Sequence, residues 1–315
     1  MICLPAMDDL QVHAIFEKIF KVITFEKILF IMKNILASLS VLSVVLVAVS
    51  CGSNKTTGQM ASERQLTAVA EGVQTLDMDS LKLTWIKDNA GSHVMPLSLF
   101  AAVDSVMADT LGVKDGVPAS VSAFYMETED TGILFDTGNG NADSGLLKGL
   151  AALQLSPDDI KCIVITHLHS DHIGGLENGG RAVFQNAALW VPQVEYDAWM
   201  AMEENNAHVV EIMNIYKDSL HLFNVADALP GGIKAIPAYG HTPGHTLYQK
   251  GEVLIIADLM HGAAIQMKYP DISASYDMDP ARAAQARKEI LKYVKENNLI
   301  MAGMHLPEPA VVIPE

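Results

Sequence analysis

Short apolar runs separated by Gly, Asp and Pro begin at about Leu81 and continue to the end of the chain. A short apolar run between turn residues predicts a strand, whereas apolar residues at about every third or fourth position predict a helix. The predicted strands are residues 83–86, 120–126, 133–135, 162–165, 188–191, 233–236, 246–249, 253–256 and 299–302. The predicted helices are residues 146–155, residues 195–216 with an interruption near Asn205-Asn206, and a long helix that Asp279 caps and Pro280 opens. Two strand-rich halves flanked by helices predict an α+β domain in which sheets pack face to face beneath outer helices.

The apolar segment 35–50 carries no charge and is shorter than the ~20 residues that a membrane-spanning helix needs. It fits the apolar region of a signal peptide, and Cys51 with the small polar residues after it resembles a bacterial lipoprotein signal. That resemblance implies a protein of the bacterial cell envelope, exported and anchored in the membrane through a lipidated Cys51. The expected organisation is a leader over 1–50 with Met32 as an alternative start, a tether over 51–80, and a folded domain over 81–315.

The composition is that of a folded protein, because 50% of the residues are hydrophobic and only 18% are charged. The formal net charge is −16, and it belongs to the part after residue 50, since the first 50 residues carry four lysines and four acids. An acidic body of this size repels phosphate backbones, so nucleic acid is not expected as a partner. Cys3, Cys51 and Cys162 are too few for a disulfide framework, and Cys162 is expected to be buried in its strand.

Three imidazoles and a carboxylate lie close together in the chain, where the apolar strand 162–165 gives way to a loop. They are His167, His169, Asp171 and His172. A loop at the end of a strand can bring several such side chains to one point, which a regular strand or helix cannot do. Because neutral imidazole nitrogen and carboxylate oxygen are ligands that Zn²⁺ takes, the spacing predicts a metal site.

The spacing His-x-His-x-Asp-His after a core strand resembles the hallmark of the metallo-β-lactamase superfamily, and the resemblance covers about Leu81 to Pro309. Further positions of the family recur in the expected order, at Asp136-Thr137-Gly138, at residues 240–245 with the ligand His241, at Ala257-Asp258 and at His305. The resemblance implies a four-layer αββα sandwich, the metallo-β-lactamase fold. It also implies that the chain is a metal-dependent hydrolase.

Two divalent metal ions follow from the same resemblance, with Zn²⁺ as the preferred metal. One ion would be held by His167, His169 and His241, a second by Asp171, His172 and His305, and Asp258 would be shared between them. A hydroxide that bridges the two ions would attack an ester, lactone or phosphoester, which are the small-molecule substrates expected here. By analogy with the family, Asp171 would take or return the proton of that hydroxide.

The residues around His241, Asp258 and His305 resemble the corresponding motifs of methyl parathion hydrolase-like and quorum-quenching lactonase-like enzymes. His261 lies three residues after Asp258, where related lactonases carry a tyrosine that stabilises the developing oxyanion. The resemblance therefore makes His261, together with Asp171, a candidate catalytic residue.

The segment 92–119 precedes the metal motif and is apolar but weakly periodic. It is expected to form a loop or short helices over the pocket. Phe100 or Met107 would supply the apolar wall of that pocket.

Two other functions stay open at this point. The first is a non-catalytic metal-binding or ligand-binding lipoprotein of the cell envelope. The second is a glyoxalase-II-like thioesterase, which would need a cationic patch for glutathione, but Lys268 and Arg282 after Asp258 do not form a Lys/Arg cluster in the sequence. Related enzymes often dimerise, so a homodimer is a further expectation.

Overall fold

The structure, a computed structural model, describes residues 64–204 and 206–314, which belong to the compact unit Ser62–Glu315. The predicted leader and Cys51 lie outside these residues. The strands of the described part are β1 (Leu66–Ala70), β2 (Val73–Met78), β3 (Leu81–Lys87), β4 (His93–Met95), β5 (Val117–Ala119), β6 (Ser122–Thr128), β7 (Gly132–Phe135), β8 (Cys162–Val164), β9 (Ala188–Pro192), β10 (Leu220–Phe223), β11 (Lys234–Pro237), β12 (Thr246–Lys250), β13 (Val253–Ile255), β14 (Ile300–Ala302) and β15 (Val311–Val312). Every strand predicted above is present, with its ends shifted by about two residues at most.

The helices are α1 (Ser105–Thr110), α2 (Leu146–Ala152), α3 (Ser170–Ile173), α4 (Gln193–Met200), α5 (Ala207–Ile215), α6 (Ala263–Gln266) and α7 (Pro280–Asn297). Single 3₁₀ turns lie at Leu97–Leu99, Pro157–Asp159, Gly174–Leu176, Pro230–Gly232 and Ala257–Leu259. The side chain of Asp279 caps α7 by accepting a hydrogen bond from the Arg282 N–H, as the sequence predicts. The helix predicted over 195–216 consists of α4 and α5, with the break between them. Within residues 64–204 and 206–314, no helix is both long and apolar enough to cross a membrane.

The strands form two large sheets and a two-stranded ribbon. The larger sheet has the order β1-β2-β3-β6-β7-β8-β9-β10 and is antiparallel up to β7 and parallel from β7 onward. The second sheet has the order β11-β12-β13-β14-β15, in which only β13 and β14 are parallel. β4 pairs with β5 outside both sheets. Parallel pairs need long crossovers, and α2, the α4–α5 pair and α7 lie in those connections.

Consecutive side chains of β8 point into two different cores, and this shows the order of the helix and sheet layers. Val164 faces the apolar core shared with Leu254 of the second sheet and Ile290 of α7. Ile163 faces the opposite core, which contains Leu150 of α2 and residues of α5. Successive strand residues point to opposite faces, so one sheet can have a sheet on one side and helices on the other. The architecture is the predicted four-layer αββα sandwich.

The predicted tether is wrong at its carboxyl-terminal end. Residues 66–70 and 73–78 are β1 and β2, so the folded domain begins before Leu81. β2 buries Val73, Thr75 and Leu76 and pairs with β3 along its length, whereas β1 lies at the sheet edge with mostly exposed side chains. β1 and β2 are short strands within a stretch, residues 52–78, that is rich in small and polar residues, which is why composition misplaced this boundary.

Cys162 provides a test of the packing between the sheets. Burial raises the pKa of its thiol to about 12, so at pH 8 about one thiol in 10⁴ is ionised. We expect iodoacetamide at pH 8 to leave Cys162 unmodified in the native protein and to alkylate it after denaturation in guanidinium. Peptide mass mapping identifies the modified residue. Labelling of native Cys162 at the rate of the denatured control would contradict the packing described here.

Candidate metal centre

The predicted ligands meet because the elements that carry them end at one edge of the structure. β8 ends at Val164, and the following loop leads through His167 into α3. His241 precedes β12, which is antiparallel to β13, while Asp258 and His305 follow the parallel strands β13 and β14. The start of β12 and the ends of β13 and β14 therefore lie on the same side of the second sheet. All seven predicted ligands are brought together here.

A first cluster contains three imidazoles. The distance from His167 Nε2 to His169 Nδ1 is 3.0 Å, from His169 Nδ1 to His241 Nε2 is 2.9 Å, and from His241 Nε2 to His167 Nε2 is 3.2 Å. Asp258 Oδ2 lies 3.3 Å from His241 Nε2 and 3.7 Å from His167 Nε2. Three nitrogens bound tetrahedrally at the Zn–N distance of about 2.0–2.1 Å are about 3.3 Å apart, so this spacing suits a single small cation.

A second cluster lies on the other side of Asp258. Its members are Asp171, His172 and His305, whose ligand atoms lie within 4.8 Å of one another. His305 Nε2 lies 3.2 Å from Asp171 Oδ2 and 3.1 Å from Asp258 Oδ2. His172 Nε2 lies 3.1 Å from Asp258 Oδ1. Asp258 thus contacts both clusters.

Two buried atoms of these clusters are left without hydrogen bonds. Among the described residues, His172 Nε2 and Asp258 Oδ1 have no partner in hydrogen-bond geometry. A buried polar atom without a partner costs free energy, so such atoms indicate a site that binds a ligand. Imidazole nitrogens and carboxylate oxygens at these spacings fit divalent cations such as Zn²⁺.

In three of the histidines, the ring nitrogen that points away from the cluster, Nδ1, contacts a carboxylate or a backbone carbonyl. Asp136 Oδ2 lies 2.7 Å from His172 Nδ1, and Asp277 Oδ1 lies 3.1 Å from His241 Nδ1. The backbone carbonyl of Ser120 lies 2.9 Å from His305 Nδ1. Each contact fixes the ring orientation and leaves the Nε2 lone pair directed at the cluster.

The protonation states of two histidines and of Asp258 also suit the binding of a divalent cation. Burial lowers the pKa of His169 to about 3, and burial together with the imidazole of His172 lowers the pKa of His167 well below its usual value. Both rings are therefore neutral at pH 7. Burial raises the pKa of Asp258, but the imidazoles of His172 and His305 outweigh it and hold that pKa well below the usual value. His167 and His169 thus offer neutral nitrogens beside an ionised carboxylate, whereas the carboxylates raise the pKa of His172, His241 and His305, so a metal ion would displace protons from those three rings.

The histidines on either side of Asp258 in the chain have different surroundings. His261 Nε2 lies 3.2 Å from Asp258 Oδ2, and its buried Nδ1 has no partner among the described residues. Burial lowers the pKa of His261 to about 4, so this ring is neutral. His245 Nδ1 donates to the carbonyl of Ala238, and its Nε2 accepts from the Asp258 N–H. His261 therefore belongs to the site, whereas His245 supports the backbone beneath it.

A cavity of about 480 Å³ opens onto both clusters. Its lining residues are His93, Val94, Met95, Pro96, Val121, Asn139, His169, Ser170, Asp171, His241, Asp258, His261, Tyr276 and His305. The segment 92–119 does cover the pocket, but the expectation for Phe100 and Met107 is wrong, because neither lines it. Phe100 is fully buried in a separate apolar cluster with Val117 and Ile265.

Comparison with known proteins identifies the family. The sequence profile of the metallo-beta-lactamase superfamily matches residues 116–305. The chain belongs to this superfamily. The N-acyl homoserine lactonase AiiA of Bacillus thuringiensis subsp. kurstaki is 27% identical over 213 residues, which cover 59% of this chain and 80% of that protein.

Two solved structures of this superfamily resemble the chain closely. The hydrolase AbOPH is 27% identical with a TM-score of 0.69, and the match covers 76% of this chain and 92% of that one. AidC, a dizinc quorum-quenching lactonase solved with a bound product, is 27% identical with a TM-score of 0.68, covering 77% and 93%. The predictions of the fold, the family and a metal-dependent hydrolase are thereby confirmed, as is a site for divalent metal.

Three residues of this metallo-β-lactamase superfamily site were not assigned from the sequence. The sequence does contain a signal for Asp136, because this residue opens the family turn Asp136-Thr137-Gly138 at the end of β7. Asp277 lies in a segment without any motif and reaches His241 only through the tertiary fold. His93, in β4, belongs to no motif of the sequence and lines the cavity.

Proposed function

We propose that the chain is a binuclear metal-dependent hydrolase of uncharged lactones, esters or phosphotriesters. One observation carries the proposal. The Asp258 carboxylate has Oδ1 3.1 Å from His172 Nε2 of one cluster and Oδ2 3.3 Å from His241 Nε2 of the other. A carboxylate between two ligand clusters is the arrangement expected for a pair of dications, because the shared negative charge offsets their repulsion.

The positions of Asp171 and His261 in the cavity give these two residues different catalytic roles. The metal ions, when bound, supply Lewis-acid chemistry, since they lower the pKa of water and polarise a carbonyl or phosphoryl oxygen. Asp171 is 29% exposed while Asp258 is 2% exposed, so Asp171 is the carboxylate that can exchange a proton with water or a leaving group in the cavity. His261 lines the cavity as a neutral ring and is a candidate hydrogen-bond donor to the oxygen on which negative charge develops.

The charges of the residues that line the cavity favour an uncharged substrate. Among the described residues that line it, Asp171 and Asp258 are acidic and none is Lys or Arg. Away from the metal centre, the carboxylates of a glutathione thioester would find no Lys or Arg to pair with, and neither Lys268 nor Arg282 reaches the lining. The likeness to the lactonases AiiA and AidC supports lactones as the first class to test.

Metal analysis and substrate profiling test the proposal together. We expect about two divalent ions per chain in protein purified without chelators, and hydrolysis of neutral lactones in preference to glutathione thioesters. A panel of lactones, aryl esters, phosphotriesters and S-acyl glutathiones gives the ranking. Protein with one ion per chain would contradict the binuclear centre, and preferred cleavage of the thioesters would contradict the substrate class.

We further propose that the chain is exported and anchored through a lipidated Cys51. The support is the uncharged segment 35–50 followed by Cys51 and small polar residues. The amino-terminal mass of protein purified from its native membrane tests this, because a chain that retains residues 1–31 would contradict cleavage before Cys51. The homodimer expected from related enzymes stays a prediction.

A further inference from the structure

Glu195, in the first turn of α4, is fully buried and accepts four hydrogen bonds. Its Oε1 accepts from the Leu168 N–H at 3.0 Å and from the Trp199 Nε1–H at 2.7 Å. Its Oε2 accepts from the Thr242 hydroxyl at 2.8 Å and from the Gly244 N–H at 2.7 Å. A single carboxylate is therefore saturated by four donors from three segments of the chain.

Three of those donors belong to the two loops that supply the three-imidazole cluster, and the fourth, Trp199, lies on α4 itself. Leu168 lies between His167 and His169, and Thr242 directly follows His241. The indole of Trp199 also packs edge-on against the His169 ring, with ring centroids 5.7 Å apart. Glu195 consequently connects the loop of the first two imidazoles to the loop of the third.

The backbone at Gly244 is adapted to this contact. A Cβ atom at Gly244 would lie 2.3 Å from the Glu195 backbone nitrogen and 2.5 Å from its Cα. Since real Cβ contacts are longer, only glycine lets the His241 loop approach the start of α4 so closely. The close approach brings the Gly244 N–H within hydrogen-bond distance of the carboxylate.

We propose that Glu195 is a positioning residue that sets the spacing between His167, His169 and His241, and thereby the affinity of this cluster for its metal ion. The proposal rests on the binuclear function proposed above. A carboxylate is required because all four partners are donors. An amide in its place would direct its NH₂ group at two of them, so one loop would lose its acceptor whichever way the amide is turned.

The test compares Glu195→Gln with Asp197→Asn, which makes the same chemical change at an exposed residue of the same helix. Competition with a chromogenic zinc chelator measures the affinity of each bound ion. We expect Glu195→Gln to weaken one of the two ions by about 10–100-fold and to leave the other near the wild-type value, as for other residues that orient metal ligands. Asp197→Asn is expected to match the wild type for both ions.

A second variant keeps the test valid if Glu195→Gln does not fold. Thr242→Val removes one donor while keeping shape, and we expect a smaller loss of affinity for the same ion. Melting curves with and without zinc separate positioning from simple support of the fold. The proposal is overturned if either variant lowers both melting temperatures equally and binds zinc as tightly as the wild type. Wild-type protein that binds no second ion would instead overturn the binuclear function.

Discussion

Asp258→Asn is expected to lower kcat/KM by about 10³-fold or more, which corresponds to about 4 kcal/mol of lost transition-state stabilisation. The Asp258 carboxylate lies within 3.3 Å of the Nε2 atoms of four histidines, His172, His241, His261 and His305. An amide has nearly the same shape but no charge, so it cannot offset the repulsion between two cations. Steady-state kinetics on a neutral lactone and the metal content per chain measure the effect.

Asp271→Asn is the matched control, because Asp271 is exposed and forms a surface ion pair with Lys288. Its kinetics are expected to equal those of the wild type. Asp258→Asn with wild-type metal content and less than a tenfold change in kcat/KM would show that the shared carboxylate is not needed for catalysis.

Removal of the metal is expected to abolish hydrolysis and to lower the melting temperature by about 10 °C. Metal present at about 10³ times its Kd stabilises the fold by about 4 kcal/mol, and each kcal/mol shifts the melting temperature of a domain of this size by about 2–4 °C. Calorimetry of dialysed, chelator-treated and zinc-restored protein gives the values. An unchanged melting temperature after proven metal removal would contradict a metal centre within the folded core.

The size of this metal effect should increase with pH. Burial lowers the pKa of His305, but the carboxylates of Asp258 and Asp171 outweigh it and raise that pKa to about 10. Without metal, the raised pKa contributes stability that is fully present below the usual value of 6.5 and is lost as the pH rises through about 10. Metal must displace the His305 proton, so it binds more weakly at low pH. The difference in melting temperature should therefore be smaller at pH 6 than at pH 8.

Local patterns were sufficient for most of the fold. The run 162–165 predicted β8 because a strand buried on both faces is apolar at every position. Asp279 and Pro280 predicted the start of α7, since a capping side chain and a proline at the first helical position act within a single turn. The histidine spacing after β8 predicted the metal site because its ligands are close in the chain.

Local patterns failed where the surroundings of a segment decide its structure. The sequence predicts a tether over the residues that form β1 and β2, because short strands among small and polar residues have the composition of a linker. The sequence predicts Phe100 or Met107 as the cavity wall, but His93 and the residues after it line the pocket. Whether an apolar side chain faces a pocket or a core depends on what packs against it, and a single sequence does not record that.

The sequence by itself determined which ligand types occur, in what order, and after which strands, because these are properties of consecutive residues. Only the tertiary structure decided that His169 turns Nδ1 to the cluster while His167 and His241 turn Nε2. It also decided that Glu195 connects two ligand loops 27 and 47 residues away in the chain. These contacts join residues that are far apart in the chain, so neither helical nor strand periodicity predicts them. They depend on the packing of α4 in the folded chain and on the need of buried polar groups for hydrogen-bond partners.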